Sequence, residues 1–329
     1  MFPTTTQEHR VLTDAGLQRA DRRKKRSGWI GIAAGILMLL ASGCIRIPEE
    51  SWTVSHRTAF ETRRQTAECT AAGIAPSFPD SRGPGPATPA RTVQPPALNA
   101  DGFSLVSWNI FKGKKQGWAE DFKRFSRNTD ILILQEAYLT DSLKQMLQME
   151  QYQWDMTAAF EYQAIEAGVL TAARTAPNFT CGFRETEPIT RIPKSTLISR
   201  YPLSGTEQEL LVANMHAINF SMQPAAFQKQ FDRLEGLLAA VQGPLIVSGD
   251  FNTWTSGRMS RVNAMVQRLG LTTVRFDENN RSRFFGHDVD HVYYRGLEAK
   301  NAATPIVSTS DHNPLTVVFK LADEPVPEF

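Results

Sequence analysis

Apolar positions between residues 103 and 319 fall into two rhythms. Phe103-Ser-Leu-Val-Ser-Trp-Asn109 alternates apolar and polar residues and then meets Lys112-Gly113, which predicts a strand followed by a loop. Ile131-Leu-Ile-Leu-Gln-Glu136 is a short apolar run closed by a carboxylate, the pattern of a strand buried on both faces. Gly168–Ala172, Ser195–Ser199, Leu210–His216, Leu245–Asp250, Val289–Tyr294 and Leu315–Phe319 read as further strands. Between them, helical spacing covers Trp118–Arg127, Thr140–Glu150, Pro224–Val241 and Arg258–Gly270. Pro224 falls in a first turn, where its missing N–H leaves no bond unmade. A short helix is expected over residues 56–72. This mixture predicts an α/β domain of sheets flanked by helices over residues 101–322, with a short tail at 323–329.

The first hundred residues have a different character. Residues 1–27 form a polar leader ending in Asp21-Arg-Arg-Lys-Lys-Arg26, and residues 28–45 are almost wholly apolar. A basic run before an apolar core is the order of a secretory signal or membrane anchor, and this core lies at the short end of what spans a bilayer. Its end, Leu40-Ala-Ser-Gly-Cys44, resembles a bacterial lipoprotein cleavage site, which would make Cys44 the lipidated residue. An uncleaved signal anchor is the alternative, and both place the rest of the chain outside the cytoplasmic membrane. A buried helix of a cytoplasmic protein is the third reading. Residues 46–100 hold eight of the 19 prolines and read as a spacer. Cys69 lies there, and a Cys69–Cys181 disulfide and two free thiols both remain open.

Charge sharpens this division. Residues 1–100 carry 13 basic and 8 acidic side chains, whereas residues 101–329 carry 23 and 26. The expected folded part is therefore slightly acidic, which argues against a surface built to coat duplex nucleic acid. Three cysteines without a CxxC pair exclude a disulfide scaffold and a cysteine zinc module.

Polar residues with catalytic potential lie at or just beyond the ends of the expected strands: Asn109, Glu136, His216, Asp250 with Asn252, Asp290, and Asp311 with His312. A rigid sheet holds side chains in convergent geometry at its rim. Each residue has an ordinary structural use as a turn former, cap or satisfied histidine. Their joint occurrence is what suggests a site.

Trp108-Asn109-Ile110, Leu134-Gln135-Glu136, Asn214-Met215-His216, Gly249-Asp250-Phe251-Asn252, Asp290 and Ser310-Asp311-His312-Asn313-Pro314 occur in an order that resembles the endonuclease/exonuclease/phosphatase superfamily. Lys194–Ser199, His216–Ser221, Arg281–Gly286 and Val292–Gly296 are similar to its bacterial YafD-like branch. The resemblance implies a DNase I-like four-layer α/β sandwich, with two central mixed sheets flanked by helices. It also implies a Mg²⁺ site (Mn²⁺ as substitute) at Asn109, Glu136 and Asp311, suited to a hard cation by its oxygen donors. Asp250 and Asn252 would orient and activate water, His312 would contact the phosphate or act in proton transfer with Asp290 fixing its tautomer, and His216 would stabilise phosphoryl charge or assist the leaving group. Lys194 looks like a phosphate-binding cation in relatives, although a solvated strand-entry lysine is equally ordinary. After Asn109, the chain lacks the acidic residue that apurinic endonucleases place two positions on, which makes a repair role less favoured.

The leading functional reading is an envelope-tethered, metal-dependent phosphodiesterase or nuclease. A phospholipid or phosphomonoester hydrolase is the alternative, and a non-catalytic envelope binding protein is the reading from a different class. The expected partners are a phosphate-ester substrate (nucleic acid, nucleotide or phospholipid) and a membrane through the N-terminal segment. No obligate protein partner is evident.

Overall fold

A computed structural model describes residues 45–56, 62–65, 68–74, 97–221 and 223–323. The basic leader, most of the apolar segment, Cys44 and the proline cluster at 76–96 lie outside the described residues. Among those described, no helix is long and apolar enough to cross a membrane.

The described strands are β1 (Ile45–Arg46), β2 (Thr53–His56), β3 (Thr62–Gln65), β4 (Phe103–Asn109), β5 (Ile131–Tyr138), β6 (Gln153–Tyr162), β7 (Ile165–Ala173), β8 (Phe179–Thr186) and β9 (Pro193–Pro202). They continue with β10 (Glu209–His216), β11 (Leu245–Asp250), β12 (Thr272–Thr273), β13 (Arg283–Phe284), β14 (His287–Asp288), β15 (Asp290–Arg295), β16 (Leu297–Ala303) and β17 (Leu315–Leu321). The helices are α1 (Ala71–Ile74), α2 (Trp118–Ser126), α3 (Asp141–Met149), α4 (Ala225–Leu238) and α5 (Ser256–Arg268). One sheet runs β16-β17-β4-β5-β7-β6-β2-β3 and the other β12-β15-β11-β10-β9-β8. Both are mixed: β4 and β5 are parallel in the first, β10 and β11 in the second, and the other pairings along both paths are antiparallel.

Alternation along the strands builds the layers. Phe103, Leu105, Ile131 and Ile133 of the first sheet share a core with Leu210, Val212, Ile246 and Val292 of the second. On the opposite face of the first sheet, Val106, Trp108, Leu132 and Leu134 pack with Trp118 and Phe122 of α2 and Leu143 and Leu147 of α3. On the outer face of the second, Leu211, Ala213 and Met215 pack with Phe227 and Phe231 of α4 and Val262 and Met265 of α5. The result is helix, sheet, sheet, helix, as expected. Caps set the helix starts: Thr140 accepts from the Leu143 N–H at 3.2 Å and Thr255 from the Arg258 N–H at 3.3 Å.

Two expectations need correction. The helix expected over 56–72 is instead the antiparallel pair β2–β3 followed by the short α1. Nor does packing start at residue 101, because β2 pairs with β6 and Val54 is wholly buried in the core shared with α2 and α3. Cys69 and Cys181 form a disulfide, both half-cystines buried, which ties the segment before α1 to β8.

Candidate active site

The site grows from the two parallel pairs. Parallel neighbours connected by a helix end on the same sheet edge, and their carboxyl ends form a rim where ligands are characteristically held. Asn109 closes β4 beside Gln135 of β5, while His216 closes β10 beside Asp250 of β11. Asp250 lies in turn opposite Asp290, the first residue of β15. The two rims meet, since Asn109 Nδ2 donates to Asp250 Oδ2 at 3.0 Å and Gln135 Nε2 donates to Asn214 Oδ1 at 2.9 Å.

Local irregularities aim the side chains. The β5–β7 register shifts between Leu134 and Ala137, and Glu136 within that bulge has φ 48°. Such left-handed backbone costs about 1–3 kcal/mol in a non-glycine residue and persists where the surroundings dictate it. Asn252 has φ 49°, and its N–H donates to Asp250 Oδ1 at 3.0 Å, a turn that fixes the carboxylate by its own chain. Gly249 has φ 143°, and a Cβ there would stand 2.0 Å from the Met215 carbonyl oxygen, so the residue before Asp250 has to be glycine.

Asp250 is the hub, buried and with each oxygen engaged. Its Oδ2 lies 3.5 Å from His216 Nε2 and 3.8 Å from His312 Nε2. His312 turns Nδ1 toward both Asp290 oxygens, at 3.0 and 2.8 Å, which leaves Nε2 facing the cleft. The His312 backbone is held by Trp108, whose Nε1 donates to its carbonyl at 2.9 Å, and by Ser310 Oγ, which accepts from its N–H at 3.2 Å. Burial alone would lower the His312 pKa, but the carboxylates of Asp290 and Asp250 push it up to about 10. His216 goes the other way: burial and then the Lys194 ammonium push it down to about 3, against the pull of Asp250 and Glu136. Lys194 Nζ lies 3.0 Å from His216 Nε2.

Glu136 forms an ion pair with Lys112. Burial would raise its pKa, yet Lys112, His216 and Lys194 together hold it well below the usual carboxylate range. Asn109 Oδ1 accepts from the Phe111 N–H at 3.1 Å, and the exposed Asp311 receives Ser310 Oγ at 3.3 Å. Asn252 Nδ2 donates to the Ala217 carbonyl at 3.0 Å. The structure thus gathers Asn109, His216, Asp250, Asn252, Asp290, His312 and Lys194 around one carboxylate network, with Glu136 joined to it by charge.

Among the described residues, Asp250, Asp290 and His312 have ligand atoms close enough together to share an ion. In that trio, however, His312 Nδ1 is already engaged by both Asp290 oxygens, at 3.0 and 2.8 Å. Glu136 also fits a hard cation, since its carboxylate oxygens are held charged and partly shielded from water.

Sequence reasoning assigned no role to several residues that build the site. Trp108 and Ser310 lie inside the motifs, and their polar atoms were the available signal. Lys112 follows Asn109 by three positions, a cue visible only once the turn is known. Arg258 had no cue; its guanidinium donates to the carbonyls of Ile218, Asn252 and Asn219 and thereby braces the loops after His216 and Asp250.

Comparison with known proteins agrees with the motifs. The profile of the Endonuclease/Exonuclease/phosphatase family matches residues 106–312. The chain belongs to that family. It is 40% identical over 232 residues to a UPF0294 protein of Vibrio cholerae, a match covering 69% of this chain and 82% of that protein. With a UPF0294 protein of Yersinia enterocolitica the identity is 37% over 225 residues, covering 68% and 86%. These relatives fit the YafD-like bacterial branch. The fold is also similar to the human Nocturnin catalytic domain with bound sulfate (TM-score 0.52, 15% identity, 69% of this chain and 96% of that one). ANGEL2, a 2′,3′-cyclic phosphatase solved with adenosine-2′,3′-vanadate, matches with TM-score 0.52 and 15% identity, over 67% and 96%. Family membership makes the chain a hydrolase of the phosphoesterase and nuclease type, and enzymes of this family are generally dependent on a divalent metal.

Proposed function

We propose that the chain is a metal-dependent phosphodiesterase that directs water onto phosphorus. The observation that carries this reading is the Asp290–His312–Asp250 chain, in which a buried imidazole is kept cationic between two carboxylates at the end of the sheets. Asp250 takes a proton from the attacking water as the new P–O bond forms. Cationic His312, with Nε2 toward the cleft, meets the phosphoryl oxygens and gives its proton to the departing oxygen as the old P–O bond breaks. Asp290 holds the imidazole orientation that this transfer requires. His216 is neutral at physiological pH, so the positive charge expected of it is supplied by Lys194 beside its ring. Glu136 would hold the metal with Asn109 and Asp311, and a bound Mg²⁺ or Mn²⁺ would neutralise phosphoryl charge as a Lewis acid.

A phospholipid substrate is the second reading, supported by an apolar rim. Phe284 and Phe285, on the hairpin that leads into Asp290, are 52% and 68% exposed, and Phe285 packs edge-on against Trp254, two residues beyond Asn252. The Cys69–Cys181 bridge supports an oxidising compartment, consistent with an envelope-tethered enzyme anchored through residues 28–45 and Cys44.

The test is a hydrolysis panel on the full chain with Mg²⁺, Mn²⁺ or chelator, covering DNA, RNA, sphingomyelin, phosphoinositides and a chromogenic diester. Cleavage of a diester that chelator abolishes is the expected result. Exclusive monoester cleavage, or no cleavage at all, refutes the diesterase assignment. Preference for vesicle-embedded lipid selects the second reading.

A further inference from the structure

Lys112 is placed by an unusual stretch of backbone. Phe111 and Lys112 have φ 47° and 61°, and the turn Phe111–Gly113 is pinned by three bonds. The Phe111 N–H donates to Asn109 Oδ1 at 3.1 Å, Ile110 N–H to the Gln135 carbonyl at 3.0 Å, and Gly113 N–H to the Ile110 carbonyl at 2.9 Å. Opposite, the β5 bulge turns Glu136 out of its ladder with φ 48°. Two departures from regular backbone thus bring one ammonium to one carboxylate, and neither residue is glycine or asparagine, for which such geometry is easy. Lys115 is engaged with the Ser310 carbonyl at 2.6 Å and Lys194 with His216.

Resting on the assignment of the metal to Glu136, we propose that Lys112 is a tethered cation competing with the divalent metal for that carboxylate. Its ammonium balances the charge of Glu136 in the metal-free protein and has to leave the carboxylate when the ion binds. Both side chains are partly shielded, with 29% and 21% exposure, so repulsion between ammonium and ion is only partly screened by water. There is room for withdrawal. A cavity of about 290 Å³ adjoins the turn, lined by Ile110, Lys112, Lys115, Trp118, Tyr138 and Thr140. The Tyr138 and Thr140 hydroxyls and the Glu120 carboxylate line it and can receive the ammonium. The consequence is an affinity for metal set deliberately low and coupled to the position of one side chain, so that metal and lysine each weaken the other's hold on Glu136.

The experiment measures Mn²⁺ binding to the full chain by the loss of the free-ion paramagnetic resonance signal, without substrate, for wild type, Lys112→Met, Lys112→Arg and Glu136→Gln. Lys112→Met is expected to tighten the dissociation constant by roughly tenfold, inside the usual range of coupling between two ligands. Lys112→Arg, which keeps the charge, is expected to stay near wild type and guards against an effect of altered folding. If Glu136→Gln abolishes binding but Lys112→Met leaves it unchanged or weaker, the metal site stands and the competition is refuted. If Glu136→Gln binds Mn²⁺ as wild type does, the metal lies elsewhere, and both the assignment and the inference built on it fall.

Discussion

His216 and His312 occupy the two flanks of a single carboxylate. Both are largely buried, with side-chain exposures of 9% and 15%, and both present Nε2 to Asp250 Oδ2, at 3.5 and 3.8 Å. Yet one is held at about 3 and the other at about 10. Burial disfavours the charged form of each and cannot separate them. The neighbours do: an ammonium stands 3.0 Å from His216, whereas a carboxylate stands 2.8 Å from His312. At neutral pH the site therefore holds one neutral and one cationic imidazole, and two groups of the same kind are prepared for different work.

The largest effect should follow from removing the carboxylate that makes His312 different. Asp290→Asn should lower kcat on a chromogenic diester by about 10²–10⁴-fold, with a much smaller change in KM, because Asp290 touches the imidazole rather than the phosphate. Adding His312→Ala should cost little more than His312→Ala alone. Additive losses would show that the two residues act separately.

A smaller loss is expected on the other flank. Lys194→Met removes one charged contact, worth roughly 10–100-fold in rate. The same change should raise the His216 pKa, followed by NMR of its ring protons, while burial keeps it below the free-histidine value. An unmoved His216 would mean that burial alone holds it neutral.

The smallest effect is on stability, and its sign differs between the flanks. His312 has a folded pKa above its ordinary value of 6.5, so its contribution is complete below pH 6.5 and is lost as pH rises toward about 10. His216 has a folded pKa below 6.5, so its neutral form favours folding above that pH and the benefit is lost as pH falls toward about 3. Urea midpoints of wild type should therefore decline more steeply between pH 7 and 10 than those of Asp290→Asn. Equal slopes would remove His312 from the linkage.

Much of this site was legible because strand ends are legible. Asn109, His216, Asp250 and Asp290 each terminate or begin an alternating apolar segment, and the sheets put those ends together. Strands β6, β8 and β16 escaped although stretches such as Gln153-Trp-Asp-Met-Thr-Ala158 alternate, because what fixes them is pairing with neighbouring strands. In β6, Asp155 and Thr157 are wholly buried, and Asp155 is satisfied by Ser55 and Thr180, partners distant in sequence. The β2–β3 pair was mistaken for a helix for a related reason, since its polar sequence gains its place from pairing with β6. Lys112 was invisible as a site residue because Lys112-Gly113 signals a loop without revealing that Phe111 and Lys112 themselves are left-handed.

The Cys69–Cys181 bridge has a topological consequence. Residues 75–96 lie in sequence between Cys69 and Leu98, which bridges to Leu203, and all of them precede Cys181. Whatever course residues 75–96 follow, both ends of that stretch belong to one covalently closed circuit. A single protease cut within it would therefore release nothing. The two fragments would travel together through denaturing electrophoresis and part only when a reductant opens the bridge, so that whatever is attached upstream stays joined to the catalytic rim even after the peptide backbone between them is broken.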